Sequence, residues 1–198
     1  MSDAGGDSLA RLARAYTLAA RAHAGQRRKG PGDVPYLNHP CDVAALVATL
    51  AEDPGPDAVI AAVLHDVVED SPTTLAEIDA AFGPGVAALV DWVTDAPDLA
   101  RLPMAERKAA QARHMAGAPP GAKAVKIADQ TSNLRDLARS GAAWPAARCR
   151  AYVEGARRVV DACRGPHPRL EAAFDEAARL ADAWAAGRAT APREETDA

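Results

Sequence analysis

Polar chemistry enters this chain inside its most apolar helical stretch. Residues 57–70 read DAVIAAVLHDVVED, where Val59, Ile60, Val63 and Leu64 cover most of the helix circumference, the pattern of a buried element. Into that element come His65, Asp66, Glu69 and Asp70. Positions four apart share a helical face, so the spacing predicts His65 over Glu69 and Asp66 over Asp70, with Asp66 also near Glu69. Carboxylates crowded into about one turn repel one another, and burying them unpaired is costly. A divalent cation removes both penalties, because it neutralises the cluster and binds imidazole nitrogen and carboxylate oxygen directly. The plainer alternative is a solvated helix end, but acidic residues at a helix C-terminus oppose the macrodipole.

One His-Asp pair cannot complete a metal site. Lys126, Asp129 and Asn133 are spaced by three and four, which sets them on one polar stripe of a helix whose packed side carries Ile127, Ala128, Leu134 and Leu137. Taken alone, such a stripe reads as a solvated face. His39 precedes Pro40, and proline suits a first helical position because its fixed φ and missing N–H cost nothing there. His39 therefore stands at a helix mouth, either projecting its imidazole inward or serving as an ordinary cap or surface histidine. Together His39, His65, Asp66 and Asp129 make a mixed set of two imidazoles and two carboxylates. That set suits Mn²⁺, Fe²⁺ or Zn²⁺ better than Mg²⁺ or Ca²⁺.

The elements that must position these residues read as helices throughout. Helical patterning covers residues 7–24, and a loop rich in Gly, Pro and basic residues follows over 25–38. Helices are expected over 40–51, over 57–70 with Asp57 as cap, and over 74–83 with Thr74 and Glu77 as a capping box. Further helices are expected over 84–93, 104–115, 122–139 ending at Gly141, 145–163 opened by Pro145, and 168–186, with a loop over 96–102. No run of alternating β-branched residues suggests a strand. The expectation is an all-α fold, a single helical bundle of eight to ten helices over residues 1–187, with a charged, flexible tail over 188–198.

Composition narrows the function class. Of 198 residues 48% are hydrophobic but only 4% aromatic, so the core must be built from Ala, Val and Leu in closely packed helices. Lys and Arg number 23 against 27 Asp and Glu, a formal charge of −4, which argues against a general nucleic-acid binder while leaving room for a local basic pocket. No apolar run approaches the ~20 residues a membrane span requires, and residues 1–6 do not resemble a signal peptide. Cys41, Cys149 and Cys163 lack CxxC spacing and read as buried thiols in a reducing cytoplasm. Oligomeric state is not legible.

Three stretches carry a resemblance. HAGQRRKGPGDVPYLNHP (residues 23–40), LHDVVEDS (residues 64–71) and VKIADQTSNLRDLA (residues 125–138) resemble, in this order and spacing, the hydrolase domain of RelA/SpoT-type alarmone enzymes of the HD superfamily. The similarity points to the small single-domain, metazoan-type group and covers about residues 8–180. It implies an HD-domain bundle in which His39, His65, Asp66 and Asp129 hold one metal ion, most often Mn²⁺. It implies that Glu69 and Asp70 position and activate the attacking water, and that Asn133 lies near the ribose. Arg28 and Lys29 are similar to the family's basic pair that meets the nucleotide, and Arg148 and Tyr152 to an Arg/Tyr pair that closes on substrate. The activity implied is hydrolysis of the 3′-diphosphate of (p)ppGpp to GDP or GTP and pyrophosphate, without synthesis. The alternatives are another phosphohydrolase on the same site, such as an NADPH phosphatase or 3′-nucleotidase, and a non-catalytic nucleotide sensor.

Two positions depart from the pattern. Gln130 stands where the family commonly has lysine, which removes a positive charge beside Asp129. Met104 stands where relatives have a phosphate-contacting lysine, leaving Arg101, Arg107 or Lys108 as substitutes. The remaining singled-out residues have plainer readings. His23 packs near the loop, with support of the site as the alternative, and His114 and His167 are surface residues. Trp92, Trp144 and Trp184 are core or helix-end packing. Tyr36 either packs beneath the metal loop or touches substrate.

Overall fold

Small side chains let the helices approach closely, and α-helix is the only extended regular structure among the described residues. The computed structural model describes residues 4–30, 32–140 and 144–190. Its helices are α1 (Ala4–Ala22), α2 (Asn38–Leu50), α3 (Gly55–Leu64), α4 (Val67–Asp70), α5 (Leu75–Phe82), α6 (Pro84–Val93), α7 (Met104–Met115), α8 (Pro120–Ser140), α9 (Ala146–Asp161) and α10 (Pro168–Thr190). A 3₁₀ turn, Leu99–Arg101, interrupts the loop before α7. The closest approach to a strand is an isolated bridge between Arg27 and Pro35, which pins the two arms of the basic loop.

Helix α8 is the spine, touching α2, α3, α6, α9 and α10, while α7 lies against α9. Its buried residues Ala124, Val125, Ile127, Ala128 and Leu134 meet Ile60 to Leu64 of α3, none of which exposes more than 1% of its surface. These two helices present His65, Asp66 and Asp129 to one another, and α2 brings His39. The capping box before α5 is present as expected, with Thr74 accepting from the Glu77 N–H and the Glu77 carboxylate accepting from the Thr74 N–H. Gly83 ends α5 at φ 86°, a left-handed conformation open to glycine, before Pro84 starts α6.

Several boundaries differ from expectation, each for a local reason. Helix α2 starts at Asn38, so Pro40 is its third residue, where the N–H would still lack an intrahelical partner. Asp57 is not a cap; it lies in the first turn of α3 and accepts from Arg11 Nη2 at 2.8 Å. Pro145 precedes α9 as its cap residue rather than opening it. Helix α8 reaches Ser140, and Gly141 lies outside the described residues. Helix α10 passes the expected boundary at 187 and runs to Thr190, while residues 191–198 and the N-terminal residues 1–3 lie outside the described residues.

His167 is not a surface residue. It is 2% exposed, accepts the Glu52 N–H at Nδ1 (3.1 Å) and donates from Nε2 to Pro120 O (2.8 Å), tying two loops to the start of α10. His114 is exposed and rests on Trp92. Cys149 and Cys163 are buried free thiols, whereas Cys41 is only half-buried, at the edge of α2. Among the described residues no helix is long and apolar enough to cross a membrane.

Candidate active site

The segment expected as one helix over residues 57–70 is two. Helix α3 stops at Leu64 and α4 starts at Val67, with His65 and Asp66 in the turn between them and Asp66 at φ −100°, ψ −5°. Adjacent side chains on a continuous helix do not face each other. The break lets them do so: His65 Nε2 lies 3.1 Å from Asp66 Oδ2. The expected nearness of Asp66 to Asp70 and Glu69 is kept across the interruption, with the Asp70 N–H donating to Asp66 O at 2.9 Å, and the convergence of His65 on Asp66 is added to it.

His39 and Asp129 complete that convergence. His39 Nε2 lies 3.2 Å from His65 Nε2, 3.2 Å from Asp129 Oδ1 and 3.7 Å from Asp66 Oδ2, and His65 Nε2 is 3.9 Å from Asp129 Oδ1. His39, His65 and Asp129 each offer a ligand atom within 4.8 Å of the others, a geometry able to hold a metal ion. Ligands at ~2.1 Å around a tetrahedral ion stand about 3.4 Å apart, so these separations match a shared ion. Two imidazole nitrogens 3.2 Å apart cannot present lone pairs to one another without repulsion, which calls for a proton or a cation between them.

The surrounding groups orient this set. His65 Nδ1–H donates to Ala62 O (2.8 Å), which leaves Nε2 to face the cluster. His39 Nδ1 meets Ser132 Oγ at 3.1 Å. Tyr36 Oη–H donates to Asp66 Oδ2 at 2.6 Å, while Gln130 Nε2–H and Asn133 Nδ2–H donate to Asp129 Oδ2 and Oδ1 at 2.7 and 2.6 Å. Burial would raise the Asp66 carboxyl, but His65 and His39 hold it well below the usual range. Burial opposes ionisation of Asp129 too, and His39, Lys126 and His65 overcome it. The Tyr36 phenol, raised by burial and by Asp66, stays a neutral donor.

Glu69 and Asp70 lie one turn further on. Glu69 Oε1 accepts the Asp95 N–H at 2.6 Å, and burial of its carboxyl group pushes it up to about 7 against that hydrogen bond, with Asp66 adding to the rise. Asp70 is raised by burial and by Asp66. Lys126, buried with its ammonium on Val93 O, has the charges of Asp129, Asp95, Glu69 and Asp66 around it.

Beside the cluster opens a cleft of about 400 Å³ lined by Arg27, Arg28, Lys29, Tyr36, Met104, Arg107, Asn133, Asp136, Leu137, Trp144, Arg148 and Tyr152. Tyr36 and Asn133 belong to both, since each is bonded to an aspartate of the cluster. The substrate-facing candidates Arg28, Lys29, Asn133, Arg148 and Tyr152 thus share one cavity. Arg28 is held rather than loose: its Nε donates to Asp136 (2.8 Å) and its Nη2 to Asn133 Oδ1 (2.8 Å), with Tyr36 below it. Tyr36 donates to Asp66 of the cluster and also lines the cleft wall.

Other side chains surprise. Trp144 is not only helix-end packing; it lines the cleft with Arg148 4.3 Å over its ring and Tyr152 edge-on at 5.5 Å. Of the substitutes proposed for a lysine at Met104, Arg107 lines the cleft, whereas Lys108 points elsewhere and donates to Gln130 Oε1 at 2.7 Å. The charge expected to be missing at Gln130 is therefore present one residue removed. His23 is buried, packs on Tyr36 at 4.8 Å and bonds Gln26 through Nδ1.

Comparisons with known proteins point to one family. An HD-domain family model matches residues 15–154. The chain is 43% identical over 170 residues to the human guanosine-3′,5′-bis(diphosphate) 3′-pyrophosphohydrolase MESH1, covering 85% of this chain and 93% of that protein. It is 36% identical over 137 residues to the bifunctional (p)ppGpp synthase/hydrolase SpoT of Escherichia coli K12, but this spans only 18% of SpoT. A solved structure described as a metazoan ortholog of SpoT that hydrolyzes ppGpp superposes with a TM-score of 0.76 at 36% identity, over 86% of this chain and 94% of that one.

Proposed function

The chain belongs to the HD-domain family, in the group of the MESH1 proteins, and on that premise we propose that it is a metal-dependent (p)ppGpp 3′-pyrophosphohydrolase. The observation that carries the reading is one cavity in which a His/His/Asp cluster adjoins a cleft walled by Arg27, Arg28, Lys29, Arg107 and Arg148. A cleft with five cations and a single lining acid, Asp136, suits a small polyanion. Its volume of about 400 Å³ is of the size that takes a small ligand, and Trp144, with Arg148 over its ring, adds an apolar wall.

His39, His65, Asp66 and Asp129 would hold one divalent ion; the mixed imidazole and carboxylate donors suit Mn²⁺, Fe²⁺ or Zn²⁺, and the resemblance to the RelA/SpoT-type hydrolases favours Mn²⁺. Such an ion, when bound, neutralises phosphoryl oxygens and lowers the pKa of water. The rest falls to the chain's own residues. Water attacks the phosphorus next to the ribose; the new O–P bond forms as the P–O3′ bond breaks, and O3′ takes a proton. The products are pyrophosphate and GDP from ppGpp, or GTP from pppGpp. Glu69, held up to about 7, takes the proton of the attacking water near neutral pH, and Asp70 orients that water. Arg28 and Lys29 meet the diphosphate, where fixed positive charge assists as charge builds up in the transition state. Asn133, fastened between Asp129 and Arg28, would meet the ribose. Arg148 and Tyr152 close the far wall.

A substrate panel tests the proposal. Purified protein with Mn²⁺ is expected to release pyrophosphate from ppGpp far faster than it releases phosphate from NADPH or 3′-nucleotides. Turnover of NADPH or 3′-nucleotides with ppGpp left intact would assign the same centre to another phosphate ester, and binding of ppGpp without any turnover would make the protein a sensor.

A further inference from the structure

We infer that Lys108 and Gln130 form a positioning pair that fixes the Asp129 carboxylate and places a positive charge behind it. The inference rests on the reading of Asp129 as a metal ligand. Lys108 is on α7 and 5% exposed, and Gln130 on α8 is 2% exposed. Lys108 Nζ donates to Gln130 Oε1 at 2.7 Å, and Gln130 Nε2–H donates to Asp129 Oδ2 at 2.7 Å. An ammonium only donates and a carboxylate only accepts, so the amide has a single workable orientation. Asp129 Oδ1 then faces His39 and takes the Asn133 N–H. Both oxygens of the carboxylate are spoken for, and its rotamer is fixed.

Among the described residues Lys108 forms no ion pair. A buried ammonium without a carboxylate partner is costly, and the usual outcome is that it turns toward solvent or a nearby acid. Here the fold makes room for it instead. Gly155 on α9 leaves the slot through which the side chain runs: a Cβ at that position would stand 2.8 Å from Lys108 Cγ. The face of Tyr152 lies 5.5 Å from Nζ, so the same lysine abuts the cleft wall. The geometry spends a neutral amide as a relay from the cation to the carboxylate, which is how Gln130 keeps a charge acting on Asp129 without carrying one.

The test is Mn²⁺ binding to metal-stripped protein by calorimetry, with melting temperatures as a check on folding. Lys108→Met keeps the apolar stem and is expected to lose tenfold or more in Mn²⁺ affinity, the usual range when a group supporting a metal ligand is removed. The exchange K108Q/Q130K, which sets an ammonium directly on Asp129, is expected to recover most of that loss. If Lys108→Met does not fold, Gln130→Glu takes its place, because it keeps an ion pair with Lys108 but presents a carboxylate to Asp129; it too is expected to weaken binding at least tenfold. Parent affinity in a folded Lys108→Met or Gln130→Glu protein would overturn the inference and leave Lys108 as packing. Asp129→Ala separates the two readings. If it loses Mn²⁺ while Lys108→Met does not, only the pair fails; if it binds Mn²⁺ as the parent does, the metal centre itself is misassigned.

Discussion

Removing the Tyr36 hydroxyl is expected to weaken Mn²⁺ binding by about tenfold while leaving the fold in place. Tyr36 Oη–H donates to Asp66 Oδ2 at 2.6 Å, and that same oxygen lies 3.1 Å from His65 Nε2 and 3.7 Å from His39 Nε2. The phenol therefore holds the carboxylate in the orientation the ion would meet. A hydrogen bond to a charged group contributes about 1.5–3 kcal/mol. Because Tyr36 borders the cleft, water can occupy the vacated space and recover part of this. The lower end, about 1.5 kcal/mol, is the better figure, and it corresponds to roughly tenfold in affinity. The ring contacts with His23 at 4.8 Å and His39 at 5.8 Å survive in phenylalanine, so the fold is kept and the loss of about 1.5 kcal/mol lowers the melting temperature by only about 3–6 °C. Calorimetric titration of Mn²⁺ into metal-stripped parent and Tyr36→Phe reads the difference. Equal affinities would refute the reasoning, showing that Asp66 is held by its backbone and by His65 alone.

The remaining predictions concern stability. Arg11 donates to Phe82 O at 2.6 Å and to Asp57 at 2.8 Å, so Arg11→Met should cost about 1–2 kcal/mol, mostly from the buried carbonyl, and lower the melting temperature by about 3–6 °C. No change in a thermal scan would mean that water satisfies Phe82 O. His167→Phe strands the Glu52 N–H and Pro120 O and should cost about 2–4 kcal/mol, seen as a lower urea midpoint at unchanged slope; a midpoint equal to the parent's would contradict it. The Glu69 carboxyl is pushed up to about 7 from an ordinary 4.5, chiefly by burial. A raised value means that the folded state holds the proton more tightly than the unfolded chain. Its contribution is complete below pH 4.5 and is lost as pH rises through about 7. Metal-free parent should thus lose stability relative to Glu69→Gln across that window, and a difference that stays constant with pH would remove burial as the cause.

The proposed donors could be picked out only together: the polar run at His65 and Asp66 interrupts an apolar helix, whereas His39 and Asp129 read as a helix mouth and a solvated stripe until their order in the chain is considered, and the fold then brings His39, His65 and Asp129 within reach of one another. Caps carried by turn chemistry were legible, since Thr74, Glu77, Gly83 and Pro84 each act on their neighbours. The break between α3 and α4 was not. No proline or glycine marks residues 65–66, and both stay in the right-handed helical region, so nothing in local propensity announces the interruption. His167 was misread because both its partners are backbone groups, 115 and 47 residues away in the chain. The cation bonded to Gln130 was not legible because Lys108 lies 22 residues earlier and reaches it through a slot left by Gly155. Trp144 showed only its size in the sequence; its place on the cleft wall depends on how α9 packs against α8. Local pattern identified which residues can act, while tertiary contacts decided which of them meet.

The central claim is that the His/His/Asp cluster and the basic cleft work together to cleave a nucleotide diphosphate. Pyrophosphate release from ppGpp tests it most directly, measured with metal-stripped protein, the same protein reloaded with Mn²⁺, and Asp66→Ala treated identically. Turnover that is absent without metal, restored by Mn²⁺ and missing in Asp66→Ala is the predicted result. Equal turnover in the stripped protein, or in Asp66→Ala, would contradict the account.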